Sequence, residues 1–222
     1  TFNINDYING LADAIIRMGG QIYTGSRVQT VHGGEDTYIE TDQGKRVSAS
    51  SVVIATNTPF NDRVRIHTKQ APYRTYVVGY ELPKDLMENF LLWDMEEPYH
   101  YVRIVRSDKH DYLITGGEDH KTGQVSQTEE PYRRLEARLR SYIPEIVVDH
   151  RWSGQVIETN DGLPYIGETA ERQFVATGFS GNGMTFGTLG AMFEDRMILG
   201  IGTGESLNEV PATGMVWPEM KE

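Results

Sequence analysis

The sequence predicts an α+β protein of α/β derivation: a partial α/β sheet built from the two ends of the chain, with a mostly antiparallel sheet and its helices inserted between them. Three observations carry this. Residues 1–68 and 151–204 mix helical periodicity with short apolar runs, as strand-and-helix layers do. Residues 69–150 carry runs of partial apolar–polar alternation, as in an antiparallel sheet with one covered face. Gln173–Thr177 leads directly into Gly178-Phe179-Ser180-Gly181-Asn182-Gly183 and a helical stretch from Met184 to Leu199, so a strand, a glycine turn and a helix start follow one another.

Taken in order, Ile4, Ile8, Leu11 and Ile15 recur at helical spacing, with Asn3 or Asn5 as N-cap and Gly19-Gly20 as the stop. Short strands are expected at Gln21–Thr24, Arg27–Val31, Thr37–Thr41 and Arg46–Ala49, with turns at Gly33-Gly34 and Asp42-Gln43-Gly44. Ser51–Ala55 reads as a strand buried on both faces. It ends in the polar loop Thr56-Asn57-Thr58-Pro59, at the carboxyl end where open α/β sheets hold ligands. In the middle segment, strands are expected at 75–81, 90–94, 100–106 and 112–115. A helix marked by Tyr132, Leu135, Leu139 and Tyr142 stops before Pro144. Arg151–Glu158 reads as a strand leading out to the turn-rich Thr159–Pro164. From Ile201 the pattern weakens into a Gly- and Pro-containing tail, 205–222. A sheet drawn from both chain ends around an inserted domain forms a natural cleft.

Composition removes several classes. A net charge of −11 argues against a nucleic-acid partner. No apolar run reaches the roughly 18 residues of a membrane helix. With no cysteine, the chain has no disulfide, no thiolate nucleophile and no usual iron–sulfur ligand set, and it suits a reducing, cytoplasmic setting. Ser180 lacks a Gly-x-Ser-x-Gly frame. His100, His110 and His120 are evenly spaced without zinc-type spacing, and no metal is expected.

Four stretches then resemble one family, in order: Tyr7–Ala12 with Gly19-Gly20 and Arg27–Val31, Val52–Asn57, Asp161–Gly167, and Ala176–Thr185. The family is the FAD-dependent amino-acid oxidoreductases, which include D-amino-acid oxidase, glycine oxidase and sarcosine oxidase. The resemblance implies FAD as cofactor, a small-molecule amine or amino acid as substrate, and hydride transfer that leaves an imine. It implies that Gly178, Ser180, Gly181, Asn182, Gly183, Met184 and Thr185 lie against the flavin ring, where a positive helix end stabilises the reduced form. Ala55, Thr56 and Asn57 are implied to line the cleft, Val28 to offer backbone groups to the adenine, and Gly162 and Leu163 to pass close to the ring. The family's Gly-x-Gly-x-x-Gly strand turn and ribose-binding acid have no counterpart in this sequence. The chain therefore resembles the family's C-terminal portion, and alone it is expected to hold FAD weakly and to be inactive.

Glycine oxidase-like relatives place an Arg after Trp-x-Gly to clamp a substrate carboxylate. Here Trp152-Ser153-Gly154 is followed by Gln155-Val156-Ile157, and Gly181 fills a second position where some relatives carry Arg. Substrate contacts are sought instead on the inserted sheet, at Tyr99, Tyr101, Arg103, Arg74 and His120; no catalytic acid or base is assigned. The loop Gly116–Gly123 resembles one from a branch whose members carry a C-terminal Rieske iron–sulfur domain. Two alternatives follow: a binding module of the same fold without redox chemistry, and a dehydrogenase passing electrons to an iron–sulfur partner.

Overall fold

Asn3 caps the first helix with its side chain, accepting from the Asn5 N–H at 2.9 Å, and α1 runs Ile4–Arg17 as the spacing predicts. The computed structural model describes residues 3–61 and 66–199. The chain divides into two compact units, Thr1–Val52 and Val53–Glu222. In the first unit β1 (Val28–His32), β2 (Tyr38–Thr41) and β3 (Arg46–Ser48) form an antiparallel sheet in that order. The Asp42–Gly44 turn closes it, with Gly44 at φ 71°. Gln21–Thr24 is not a strand: none of the described strands pairs with it, and an unpaired segment gains no ladder hydrogen bonds.

The second unit holds two sheets. The smaller has the order β10 (Tyr165–Ala170), β11 (Gln173–Thr177), β4 (Val52–Ile54). β4 is not buried on both faces, since Val53 is 42% exposed and only Ile54 is in the core. β10 is absent from the sequence-based expectation. It pairs antiparallel with β11 through a two-residue Glu171-Arg172 turn, with Arg172 at φ 60°, which lacks the Asn-Gly type of signal.

Helix α3 (Gly183–Leu199) lies against β10, with Gly190 facing Ile166 so closely that a Cβ would stand 3.2 Å from its Cδ1. One turn further on, Glu194 is 4% exposed, and its Oε1 has no hydrogen-bond partner among the described residues. Burial pushes its carboxyl up to about 7.

The larger sheet has the order β6 (Leu91–Trp93), β7 (Tyr101–Val105), β8 (Asp111–Lys121), β5 (Gln70–Leu82), β9 (Val148–Thr159), every neighbour antiparallel. β5, β8 and β9 are all longer than the expected runs. The expected domain boundary at 150 falls inside β9, which pairs with β5 from Val148 opposite Tyr80 to Thr159 opposite Gln70. Alternation along β5 puts Tyr76, Val78, Tyr80 and Leu82 on one face. There they form the core with Ile104, Leu113, Ile146, and Leu135 and Leu139 of α2 (Glu129–Arg140). The opposite face carries Val77, Gly79 and Trp152, and Gly79 gives room to the Trp152 ring, 3.3 Å from where its Cβ would be.

Leu135→Ala, at a fully buried position, is expected to cost about 2–5 kcal/mol in urea unfolding, against less than about 0.5 kcal/mol for Leu86→Ala on the exposed loop. Glu194 gives a pH signature. A carboxyl raised on folding favours the native state while protonated, so its contribution is intact below 4.5 and lost as pH rises through about 7. Glu194→Gln is expected to flatten stability across that window. Above it, the variant should exceed the wild type by up to roughly 3 kcal/mol.

Candidate active site

Three of the expected cofactor segments meet at one corner of the second unit. Gly178 follows β11 at φ 73°, and a Cβ there would stand 2.5 Å from Thr159 Cγ2 and 3.6 Å from both Gln70 Oε1 and Tyr165 Cδ2. Only glycine meets both demands. The Thr159 hydroxyl donates to Leu163 O at 2.8 Å, which draws the Asp161–Leu163 turn to the same place. That turn is closed by the Leu163 N–H donating to Asp161 Oδ1 at 3.1 Å, with Gly162 at φ 75°. The Thr177 hydroxyl donates to Asn57 O, which ties the Ala55-Thr56-Asn57 loop to the end of β11; Asn57 itself sits at φ 62°. The Ser180 N–H donates to Ile157 O at 3.0 Å, so the glycine turn is bonded to β9.

The turn delivers the chain into α3. Asn182 O accepts from the Thr185 and Phe186 N–H groups at 3.1 and 2.9 Å. Gly183 and Met184 occupy the exposed positions before them, where the N–H groups have no intrahelical acceptor. No acidic side chain stands in this first turn to compete for the positive helix end. Gly181, at φ 81°, has nothing within 4 Å of where a Cβ would be. An open approach, bare donors and a positive dipole end suit a large ring with an electron-rich edge. The residues present therefore fit the ring-facing part of a flavin site. Val28 lies in the first unit, opening β1 opposite Thr41.

The sheet separates the expected substrate residues by face. Tyr101 lies over Gly116, whose missing Cβ would overlap the phenol ring. Alternation puts Arg103 on the same open face, and the Tyr99 ring lies 6.5 Å from that of Tyr101. Arg74 and His120 are on the helix-covered face. Arg74 donates to Ser153 Oγ at 2.8 Å, and His120 Nε2 meets Tyr76 Oη at 2.9 Å, beside Tyr132 of α2.

The sequence reading missed Asp119 and Glu158. Burial, and then each other's charge or that of neighbouring carboxylates, raises both carboxyls; burial followed by these same two charges raises the Tyr99 phenol. Asp119 sits in an irregular stretch of β8 that reads as loop in sequence, so its facing was not legible. Gln70, Thr159 and Thr177 were missed because their role is to hold the turn, and nothing local marks that. Among the described residues, Asp94, Glu96 and His100 bring ligand-type atoms within 4.8 Å of one another. Arg138 already spans the two carboxylates at 2.7 and 3.0 Å, so the cluster is an ion-pair network between sheet and helix.

Together these features define part of a cofactor-binding oxidoreductase. A family model described as FAD dependent oxidoreductase matches residues 1–196, and the chain belongs to the FAD-dependent oxidoreductase family. It is 25% identical over 194 residues to YhfW of Bacillus subtilis, described as a Rieske 2Fe-2S iron-sulfur protein, covering 86% of this chain and 38% of that one. It is 27% identical over 190 residues to gamma-glutamylputrescine oxidoreductase of Escherichia coli, covering 79% of this chain and 42% of that one. Glycine oxidase from Geobacillus kaustophilus shares the fold with a TM-score of 0.72 at 23% identity, over 95% of this chain and 56% of that one. The chain thus spans about four-tenths of the length of these curated relatives. A separate short likeness, 65% over 37 residues, is to F420-dependent glucose-6-phosphate dehydrogenase of Nakamurella multipartita; it covers 17% of this chain and 11% of that protein.

Gly178→Ala is expected to cost at least about 1–3 kcal/mol in urea unfolding. Thr159→Ser, which removes Cγ2 and keeps the hydroxyl, should restore part of that loss in the double variant but do nothing for the φ penalty.

Proposed function

We propose that this chain supplies the ring-side wall and the substrate-side sheet of a flavoenzyme that oxidises an amine or an amino acid. The observation that carries the reading is the convergence of Ala55–Asn57, Gly162-Leu163 and Gly178–Thr185 on a bare helix start at one end of the long antiparallel sheet. When bound, FAD would supply the acceptor for the hydride leaving the carbon beside the substrate nitrogen, and the product would be an imine. Gly183 and Met184 would offer backbone N–H groups to the electron-rich edge of the ring, and the α3 dipole would favour its reduced, negative form. Gly181 and Gly183 would let the ring lie close to the backbone. Tyr99, Tyr101 and Arg103, on the open face of the sheet, would wall and orient the substrate. Arg74 and His120 would act from the covered face as supports of that wall. Val28 would contact the adenine end.

The test is the complete protein with FAD. A yellow protein whose visible band bleaches with one of a panel of amines and amino acids is the expected result. A colourless protein that cannot be reconstituted would overturn the reading, and a yellow one that no substrate bleaches would favour a binding module. A sharper probe is Met184→Pro. Proline is tolerated in a first helical turn and removes one N–H. FAD affinity should fall about tenfold, as loss of one hydrogen bond to a charged group implies, while unfolding stability is little changed.

The likeness to a Rieske iron–sulfur protein supports a second reading for the electrons, an iron–sulfur outlet in place of oxygen. Dye reduction without oxygen consumption would support it, and stoichiometric oxygen uptake would exclude it.

A further inference from the structure

The loop between β6 and β7 is closed by one side chain. Asp94 Oδ1 accepts from the Glu96 N–H at 3.2 Å and the His100 N–H at 2.9 Å, and the Asp94 N–H donates to His100 O at 3.0 Å. The His100 ring is then held at both nitrogens. Nδ1 stands 3.0 Å from Asp94 Oδ2, and Nε2 stands 3.2 Å from Glu118 Oε1 on β8. His100 is 8% exposed, so water does not stand in for either partner. An ionised carboxylate only accepts, and a neutral imidazole has one donor and one acceptor. Both contacts are hydrogen bonds only if both ring nitrogens carry hydrogen.

The surrounding charges favour that form. From the loop, Asp94 and Glu96 face the ring, Glu96 at 3.8 Å from Nδ1. From β8 come Glu118 and, further off, Asp119. From α2, Arg138 holds Asp94 and Glu96, and Arg134 holds Glu118 at 2.5 Å while meeting Glu130 at 3.7 Å. These carboxylates outnumber the two guanidiniums, and an imidazolium offsets part of the excess.

The bridge lies directly behind the open face. Gly117 has no room for a side chain: a Cβ at its φ of 144° would stand 2.6 Å from Tyr99 O and 2.9 Å from His100 Cδ2. Gly116 is covered from the other side by the Tyr101 ring. Residues 99–101 thus lie flat on two glycines, and alternation sends His100 to one face and Tyr99 and Tyr101 to the other. We infer that His100 is a positioning residue: as an imidazolium bridging Asp94 and Glu118, it holds Tyr99 and Tyr101 in place on the open face of the sheet. The meaning of this for a substrate rests on the flavoenzyme reading; the bridge itself does not. When the ring loses its proton, one carboxylate faces a lone pair, and the segment carrying both tyrosines loses an anchor.

The experiment is long-range proton–nitrogen NMR on the protein labelled at histidine nitrogens, with His100 assigned by its absence in His100→Gln. Near neutral pH both His100 ring nitrogens are expected to be protonated. As pH rises, the Tyr99 and Tyr101 ring signals should move with the His100 transition while the Leu113 and Leu139 methyl signals stay still. In His100→Gln, amide exchange over 94–101 should speed at least tenfold. Should that variant not fold, Glu118→Gln keeps the question open to measurement: it retains an acceptor but no charge, and the ring should lose its proton more readily. A neutral His100 with one bare nitrogen near neutral pH overturns the inference, as do tyrosine signals that ignore its titration. None of these readouts needs flavin or turnover, so a failed reconstitution leaves them standing, and a neutral His100 leaves the flavin reading standing.

Discussion

Strand β5 is hydrogen-bonded on both sides, to β8 from Tyr73 to Leu82 and to β9 from Gln70 to Tyr80, and that double pairing sets the rest of the second unit. A strand with two partners cannot slip by one residue without turning its core side chains to the opposite face. Tyr76, Val78, Tyr80 and Leu82 are therefore committed to α2, and Val77 and Gly79 to the other face. The same register puts Gln70 opposite Thr159, and those two residues seat Gly178. Core, open face and glycine turn are three results of one alignment.

Much of this was legible in the residues. Helical spacing found α1 and α3, and β-type alternation found the antiparallel character of the middle segment. The strand–glycine–helix order found the turn itself, because Gly178 and Gly181 are residues whose backbone angles few others accept. The parts that stayed hidden depend on distant partners. β10 is a strand only because β11 lies beside it, and its turn carries no marker. The full lengths of β5 and β9 come from their pairing with each other, so neither end was visible in its own sequence.

The site divides along the same line. Residues that work through backbone shape could be named from sequence, as with Gly162, Gly178 and Asn57. Those that work through the direction of a side chain could not. Arg74, His120, Tyr99, Tyr101 and Arg103 looked equivalent as polar or aromatic members of one sheet. An irregular pairing between Arg74 and Tyr76 then decides how Asp119 and His120 are shared between its faces. Charge follows that division. The helix-covered side concentrates Arg134, Arg138, His100 and their carboxylates, and the open side keeps Asp119 and Glu158.

The contact between Gly178 and Thr159 joins the end of the sheet to the start of α3 with no linker between them. Two bodies that swing apart about a hinge need residues free to absorb the rotation. This corner has none to spare, since its turns are bonded through Leu163, Asn57 and Ile157. A small molecule would then arrive at the ring wall by local displacement of side chains and short loops along the open face, and not by a gape between sheet and helix. The corner sets the route of entry as well as the place of binding.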